Sequence, residues 1–254
     1  MAANGIVELA ISPWSSNVVL VRKKDGGLRF CVDFRQLNSL TVKDSYALPC
    51  TDMCLEALGG ARFFSTLDCR QGYWQIELDE KSSEKTSFVT RLGVWKFKVL
   101  PFGLSNAPAC FQRLTDLVLT GLQWETCLAF LDDIIVFAPT FEQQIQRLSM
   151  VLDRLRKANL KLKPSKCSLF QLKVRFLGSI VSGAGIEPDP EKVRAVFEWP
   201  LPKNITETRA FVALASYYRR HIRHLLRSLD LFMSCPRREW IFHEVQSRWQ
   251  HLKN

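Results

Sequence analysis

The densest apolar stretch of the chain is interrupted by charge. From residue 130 the sequence runs Phe-Leu-Asp-Asp-Ile-Ile-Val-Phe, a block of large hydrophobic side chains with two adjacent carboxylates set into it. A continuous apolar run of this length predicts a buried strand or hairpin. Adjacent carboxylates there repel each other and lose hydration, so they persist either at a solvated turn or around a bound cation. Residues 63–68, Phe-Phe-Ser-Thr-Leu-Asp, form a second β-prone apolar stretch that also ends on a carboxylate, Asp68. Two strands, each delivering carboxylate at one end, are what a two-metal phosphoryl-transfer site requires.

The rest of the pattern divides the chain. Residues 17–34 predict a hairpin, because Val18-Val19-Leu20-Val21 leads through an Asp-Gly-Gly turn into Leu28-Arg29-Phe30-Cys31-Val32. Residues 35–62 are loop-rich, with one short helix expected between Pro49 and Gly59-Gly60. Residues 63–138 alternate strands with one helix, which starts near Asn106-Ala107-Pro108 as a capped N-terminus. Ile145, Leu148, Val151, Leu152 and Leu155 recur at spacings of three and four, which predicts an amphipathic helix over residues 141–160. Strands are expected at 167–170 and at 174–181, the latter broken by Gly178, followed by helices at 190–198 and 206–228. Asn204 and Glu207 have the spacing of a capping box. Strands followed by helices suggest an α+β fold with a helical C-terminal subdomain.

Composition narrows the partner. The 254 residues carry 47% hydrophobic and 24% charged side chains, ordinary for a globular protein, but a formal net charge of +10. Residues 201–254 are the most basic region, with ten Lys/Arg against four Asp/Glu. Such an excess favours a polyanion, nucleic acid first and an acidic membrane surface second. No apolar run reaches the roughly 18 residues of a membrane span, and the N-terminus has no secretory pattern. The eight cysteines are scattered without zinc-ligand spacing, which favours a reduced, intracellular chain.

Six segments in fixed order then carry a family resemblance. They are V-L-V-R-K-K-D-G at 19–26, R-F-C-V-D-F-R-Q-L-N at 29–38 and F-S-T-L-D-C-R-Q-G-Y-W-Q-I at 64–76. L-P-F-G-L-S-N-A-P-A-C-F-Q at 100–112, F-L-D-D at 130–133 and F-L-G at 176–178 follow. Together they resemble the reverse transcriptase of gypsy-type (metavirus-like) long-terminal-repeat retrotransposons. The resemblance implies a right-hand polymerase with fingers, a ferredoxin-like palm and a helical thumb. Its expected layout is partial fingers at 1–62, palm at 63–79, fingers at 80–105, palm at 106–185 and thumb at 186–230. Residues 231–254 would begin a connection toward an absent ribonuclease H domain, and the fingers would be truncated at the N-terminus.

The resemblance also implies roles for particular residues. Asp68, Asp132 and Asp133 become ligands of two magnesium ions, hard cations suited to an all-oxygen site. Lys23 and Arg29 match positions that reach the triphosphate, Tyr73 the aromatic beneath the incoming sugar, and Phe102 and Gly103 the nucleotide pocket. Asn38, Pro108, Phe176, Leu177, Gly178, Arg219 and Arg220 fall on the primer–template side. Each has a plainer alternative: Lys-Lys-Asp-Gly is an ordinary hairpin turn, Tyr73 a half-buried strand aromatic, and the 219–227 stretch a solvated basic helix face. Phe130, Cys69 and Trp74 depart from the family's commoner tyrosine, leucine and histidine, but none removes a charge from the metal site. The implied function is RNA-directed DNA polymerisation from a polyprotein fragment, using deoxynucleoside triphosphates and a primed RNA or DNA template. A cytoplasmic location is expected, free or in a particle, with no membrane partner and the oligomeric state left open. The alternative is a catalytically inactive nucleic-acid-binding remnant.

Overall fold

The computed structural model describes residues 1–22, 26–191, 194, 204, 206, 207 and 210. The chain divides into two compact units, Met1–Val174 and Arg175–Asn254. In order, the first unit contains β1 (Val7–Leu9), β2 (Val18–Arg22), β3 (Leu28–Val32), α1 (Arg35–Leu40), α2 (Thr51–Ala57) and β4 (Phe63–Asp68). It continues with α3 (Glu80–Lys85), β5 (Phe88–Thr90), β6 (Gly93–Phe97), α4 (Ala107–Val118), β7 (Cys127–Phe130), β8 (Asp133–Ala138), α5 (Phe141–Lys157) and β9 (Ser168–Gln171). β10 (Lys173–Phe176) spans the boundary, and β11 (Ser179–Ser182) and β12 (Gly185–Pro188) follow it.

The apolar runs noted in the sequence pair with each other. The main sheet has the order β7-β8-β4-β9, with every pairing antiparallel. With α4 between β4 and β7, and α5 between β8 and β9, this is the split β-α-β-β-α-β arrangement of ferredoxin-like folds. Strand alternation puts Leu67, Cys127, Ala129, Ile134 and Val136 on one face, where they share a core with Phe111 and Leu119 and with Leu148, Val151 and Leu155 of α5. Phe64, Leu128 and Ile135 belong to the opposite face and are equally buried. A sheet covered on both sides needs apolar residues at successive positions, which is why β8 reads as an unbroken run.

A smaller core ties the rest of the first unit together. Val7, Val32, Phe34, Phe88 and Phe97 pack where the β2–β3 hairpin meets the β1-β6-β5 sheet. The expected hairpin forms, with a register running from Val18 opposite Val32 to Arg22 opposite Leu28. In the second unit, Leu177 and Gly178 both take positive φ, 47° and 73°, between β10 and β11. Two such residues match a tight hairpin of the I′ kind. The apolar pattern alone suggests one strand broken at Gly178, whereas 176–178 is the hairpin that the family resemblance implies, with β12 added beyond it.

Other expectations also shift. The 35–62 segment holds two short helices rather than one, and 63–138 holds α3 as well as α4. The signal for α3 is Asp79, whose carboxylate accepts from the Ser82 N–H at 3.0 Å. Asn106 stands at the N-cap position of α4, as expected, but its side chain makes no capping hydrogen bond. Its side chain accepts from the Asp44 N–H (3.1 Å) and donates to the Val42 carbonyl (2.9 Å), holding the loop before α2.

In α5 the buried stripe is Gln144, Leu148, Val151 and Leu155, while Ile145 is 47% exposed. Gln144 takes the core position because its Nε2 donates to Ser65 Oγ (2.9 Å) and to the Val136 carbonyl (3.1 Å). Ser65 Oγ also accepts from the Phe170 N–H at 3.1 Å, where the β4–β9 register shifts. In the second unit Pro190, Glu191 and Arg194 are helical, and Asn204 Oδ1 accepts from the Glu207 N–H at 2.9 Å as a capping box would. The remainder of the helices expected at 190–198 and 206–228 lies outside the described residues. Among the described residues no helix is long and apolar enough to cross a membrane.

The α5 assignment is testable. Leu155→Ala should destabilise the chain by about 2–5 kcal/mol, whereas Ile145→Ala should stay within about 0.5 kcal/mol. Urea unfolding midpoints compare the two.

Candidate active site

Register brings the carboxylates together. β4 and β8 pair so that Asp68, the last residue of one, lies directly opposite Asp133, the first residue of the other. Directly opposed side chains share a sheet face with Cβ atoms about 4.5–5.5 Å apart. By alternation that face is the one opposite α4 and α5. Asp132 sits beside them in the turn joining β7 to β8, where Leu131 takes φ 54°. Its carbonyl accepts from the Cys69 N–H at 3.3 Å, binding the turn to the exit of β4.

The Asp132 side chain is partly buried, and its Oδ1 is shut off from solvent without a hydrogen-bond partner. Close approach of the 71–75 segment accounts for this. A Cβ placed on Gly72 would lie 2.5 Å from Asp132 Oδ1 and 2.8 Å from Phe111 Cζ, so only glycine fits there. Burial first, then the charges of Asp133 and Asp68, push the Asp132 carboxyl up to about 6, against the opposing pull of Lys166. Burial and then Asp68 raise Asp133 as well, again opposed by Lys166.

Lys166 was not singled out in the sequence. Its Nζ donates to Asp68 Oδ2 at 2.8 Å from the short loop after α5. That loop is pinned to β4 by the Lys163 N–H, which donates to the Asp68 carbonyl at 2.9 Å. The lysine places one positive charge among three carboxylates. The carboxylates are gathered at one end of the sheet but not closed into a cage: among the described residues no three acidic, histidine or cysteine side chains are arranged to hold an ion as they stand.

The residues still fit a divalent metal. The donors are all carboxylate oxygens, which suit hard cations, and a buried oxygen of Asp132 has no other partner. The nearby thiol of Cys69 is held protonated, pushed up to about 12 by burial and by the neighbouring carboxylates.

The other sequence-predicted residues distribute as follows. Tyr73 lies on a 3-10 turn over Gly72–Gln75, not in a strand, and its ring packs 5.8 Å from Phe111 and 5.0 Å from Phe102. Burial and the Asp132 charge raise its hydroxyl pKa, so this ring is the aromatic beside the carboxylates. Phe102 is 46% exposed and Gly103 adopts φ 100°. Asn38 braces this loop: its Nδ2 donates to the Gly103 carbonyl and its Oδ1 accepts from the Ser105 N–H, both at 2.8 Å. Pro108 occupies the first turn of α4, and Arg29 lies exposed on β3 opposite Val21. Phe176, Leu177 and Gly178 belong to the β10–β11 hairpin of the second unit. Lys23, Arg219 and Arg220 lie outside the described residues.

A ferredoxin-like sheet with carboxylates at one strand end, carried in an α+β chain, has the architecture of a right-hand polymerase palm. This chain belongs to the family of reverse transcriptases (RNA-dependent DNA polymerases), whose model matches residues 21–181. It is 39% identical over 227 residues to the retrovirus-related Pol polyprotein from transposon 297 of Drosophila melanogaster, covering 87% of this chain and 21% of that one. It is 40% identical over 222 residues to the Pol polyprotein from transposon gypsy of the same organism, covering 85% of this chain and 21% of that one. The chain thus spans about a fifth of these curated relatives' length. Among solved structures it is similar to the foamy viral protease-reverse transcriptase dRH in complex with double-stranded DNA. That likeness has a TM-score of 0.84 at 20% identity, over 98% of this chain and 46% of that one, and it shows the fold.

The raised carboxyl makes stability pH-dependent. In the ion-free protein Asp132 keeps its proton up to about 6 when folded, against an ordinary 3.8 when unfolded. Between those values the native state binds more protons, so stability falls as pH rises from about 4 to about 6. Asp132→Asn should remove most of that fall, on the order of 1 kcal/mol for a carboxyl still partly screened by solvent. Urea midpoints of both proteins across this range, in chelator, measure the difference.

Proposed function

We propose that this chain carries the RNA-directed DNA polymerase centre of a gypsy-type retrotransposon polyprotein. In this reading it adds deoxynucleotides to a primer 3′-hydroxyl on an RNA or DNA template. The observation that carries the reading is the Asp68–Asp133 register pair, with the orphaned Oδ1 of Asp132 beside it. Family members use divalent metal ions, and Asp68, Asp132 and Asp133 are the residues that would hold them, two magnesium ions in our reading. Bound ions would supply Lewis-acid activation of the primer hydroxyl and neutralise charge on the triphosphate.

The chain's own residues supply position and charge. Gly72 lets the 71–75 turn lie against Asp132, which excludes water from that oxygen. The Tyr73 and Phe102 rings form an aromatic floor for the sugar of the incoming nucleotide. A ring there collides with a 2′-hydroxyl and favours deoxynucleotides by shape. Asn38 keeps the Gly103 loop in place. Arg29 and Lys23 approach the triphosphate from the fingers hairpin, while Arg219 and Arg220 grip duplex backbone through sequence-independent phosphate contacts. Pro108, Phe176, Leu177 and Gly178 act on the primer–template side. In this reading the fingers take residues 1–62 and 80–105, the palm 63–79 and 106–185, and the thumb 186–230. Support for a nucleic-acid partner comes from the net charge of +10 and from solved relatives held in complex with double-stranded DNA and with an RNA/DNA hybrid.

Primer extension on an RNA template with Mg²⁺ and deoxynucleotides tests the reading. Asp132→Asn or Asp68→Asn should lower the rate at least about a thousandfold. Extension that survives Asp132→Asn would remove the metal assignment, and salt-sensitive primer–template binding without any extension would leave a binding remnant. Tyr73→Ala should raise ribonucleotide incorporation relative to deoxynucleotide by at least about tenfold, read from competing single-nucleotide additions.

A further inference from the structure

The turn that carries Asp132 is strained, and the strain has a holder. Leu131 adopts φ 54° in a turn position that glycine usually fills. A leucine stays there only if its surroundings over-determine it. Cys69 binds the turn from the β4 side, as described above. From the other side, the Leu131 N–H donates to Gln112 Oε1 at 2.7 Å.

Gln112 lies on α4 and is fully buried. Its Nε2 donates to Asp116 Oδ1 (2.8 Å) and to the Ala129 carbonyl (3.0 Å). An amide can present either its oxygen or its nitrogen to a neighbour, and only the oxygen can accept from a backbone N–H. Asp116 is acceptor-only when ionised, so it draws Nε2 to itself and turns Oε1 toward Leu131. Asp116 is in turn gathered from two further places. Gln123 Nε2 donates to its Oδ1 at 2.6 Å, and the Tyr46 hydroxyl donates to its Oδ2 at 2.5 Å.

Tyr46 belongs to the 42–46 segment that Asn106 and Arg113 also hold. Arg113 Nη2 pairs with Asp44 Oδ2 at 2.7 Å, and its guanidinium stacks 4.8 Å from the Tyr46 ring. A continuous chain of hydrogen bonds thus runs from Tyr46 through Asp116 and Gln112 to the backbone beside Asp132.

We propose that Asp116 is a positioning residue of the polymerase centre, orienting Gln112 so that it fixes the Leu131–Asp132 turn, with Tyr46 as the anchor that ties this turn to the 42–46 segment. The catalytic consequence rests on the function proposed above; the structural one does not. Asp116 bonds to Tyr46, Gln112 and Gln123 and is not among the residues proposed to hold ion or nucleotide. Its effect reaches the reaction only through where Asp132 and Asp133 stand.

Hydrogen exchange of the peptide spanning residues 128–134, measured on the full 254-residue chain, tests the relay without any need for activity. Asp116→Ala and Gln112→Leu should accelerate exchange in that peptide at least tenfold. Asp116→Asn, whose Oδ1 can still accept from Gln112, should stay within twofold of the unsubstituted chain. Unchanged exchange in Asp116→Ala overturns the proposal, as does an acceleration equally large in Asp116→Asn. Should Asp116→Ala not fold, Tyr46→Phe deletes one hydroxyl and should still speed exchange two- to fivefold; no change there is equally fatal.

In primer extension, Asp116→Ala should lower kcat at least tenfold and leave the deoxynucleotide KM within twofold, with Asp116→Asn restoring most of the rate. A kcat loss no larger than the loss of folded protein overturns the positioning role. If the unsubstituted chain extends no primer, the functional reading fails, and the exchange data alone decide the relay.

Discussion

The register between β4 and β8 is the constraint on which everything else rests. Strand side chains alternate with a period of two, so a slip of one residue would turn Asp68 to the face that holds α4 and α5 while leaving Asp133 on the other. That same slip would carry Leu67 out of the core it shares with Ile134 and Val136. The packing of the hydrophobic face and the convergence of the carboxylates are therefore one condition. Burying the helix-side face sets the register, and the register sets the acidic pair.

Charge works against this arrangement in the absence of ions. Two of the three carboxyls are pushed upward by burial and by their neighbours, and one buried oxygen has nothing to bond. Lys166 offsets part of the repulsion through Asp68. The site is thus an unfavourable electrostatic cluster stabilised by a well-packed sheet, which is the usual relation between an active site and its scaffold. Gly72 contributes from the covalent side, because any side chain there would meet Asp132 or the Phe111 ring.

How much of this the sequence disclosed depends on the range of the interaction involved. The apolar runs ending in Asp68 and containing Asp132-Asp133, and the Asp-Gly-Gly hairpin, are local signals, and the corresponding strands pair as their patterns imply. The resemblance supplied the palm, whose split topology no periodicity could have ordered. What stayed hidden was polar and long-range. Gln144 replaces Ile145 on the buried face of α5 because a serine hydroxyl on β4 and a carbonyl on β8 need a donor, and hydropathy cannot register that need. Asn106 stands at the N-cap of α4, but its side chain serves a loop some sixty positions earlier. Lys166 reaches a partner 98 residues away, and nothing in Lys-Pro-Ser-Lys announces it.

Ser65 has one more implication. Its hydroxyl receives the Phe170 N–H just beyond the loop that carries Lys166, and the Asp68 carbonyl receives the Lys163 N–H just before it. The backbone between these two moorings is short and held at both ends to the same strand. Rotation about the lysine's own four-carbon stem can then carry the ammonium away from Asp68 without breaking either mooring. The moored loop acts as a pivot for a swinging charge, whose reach is that of the lysine side chain.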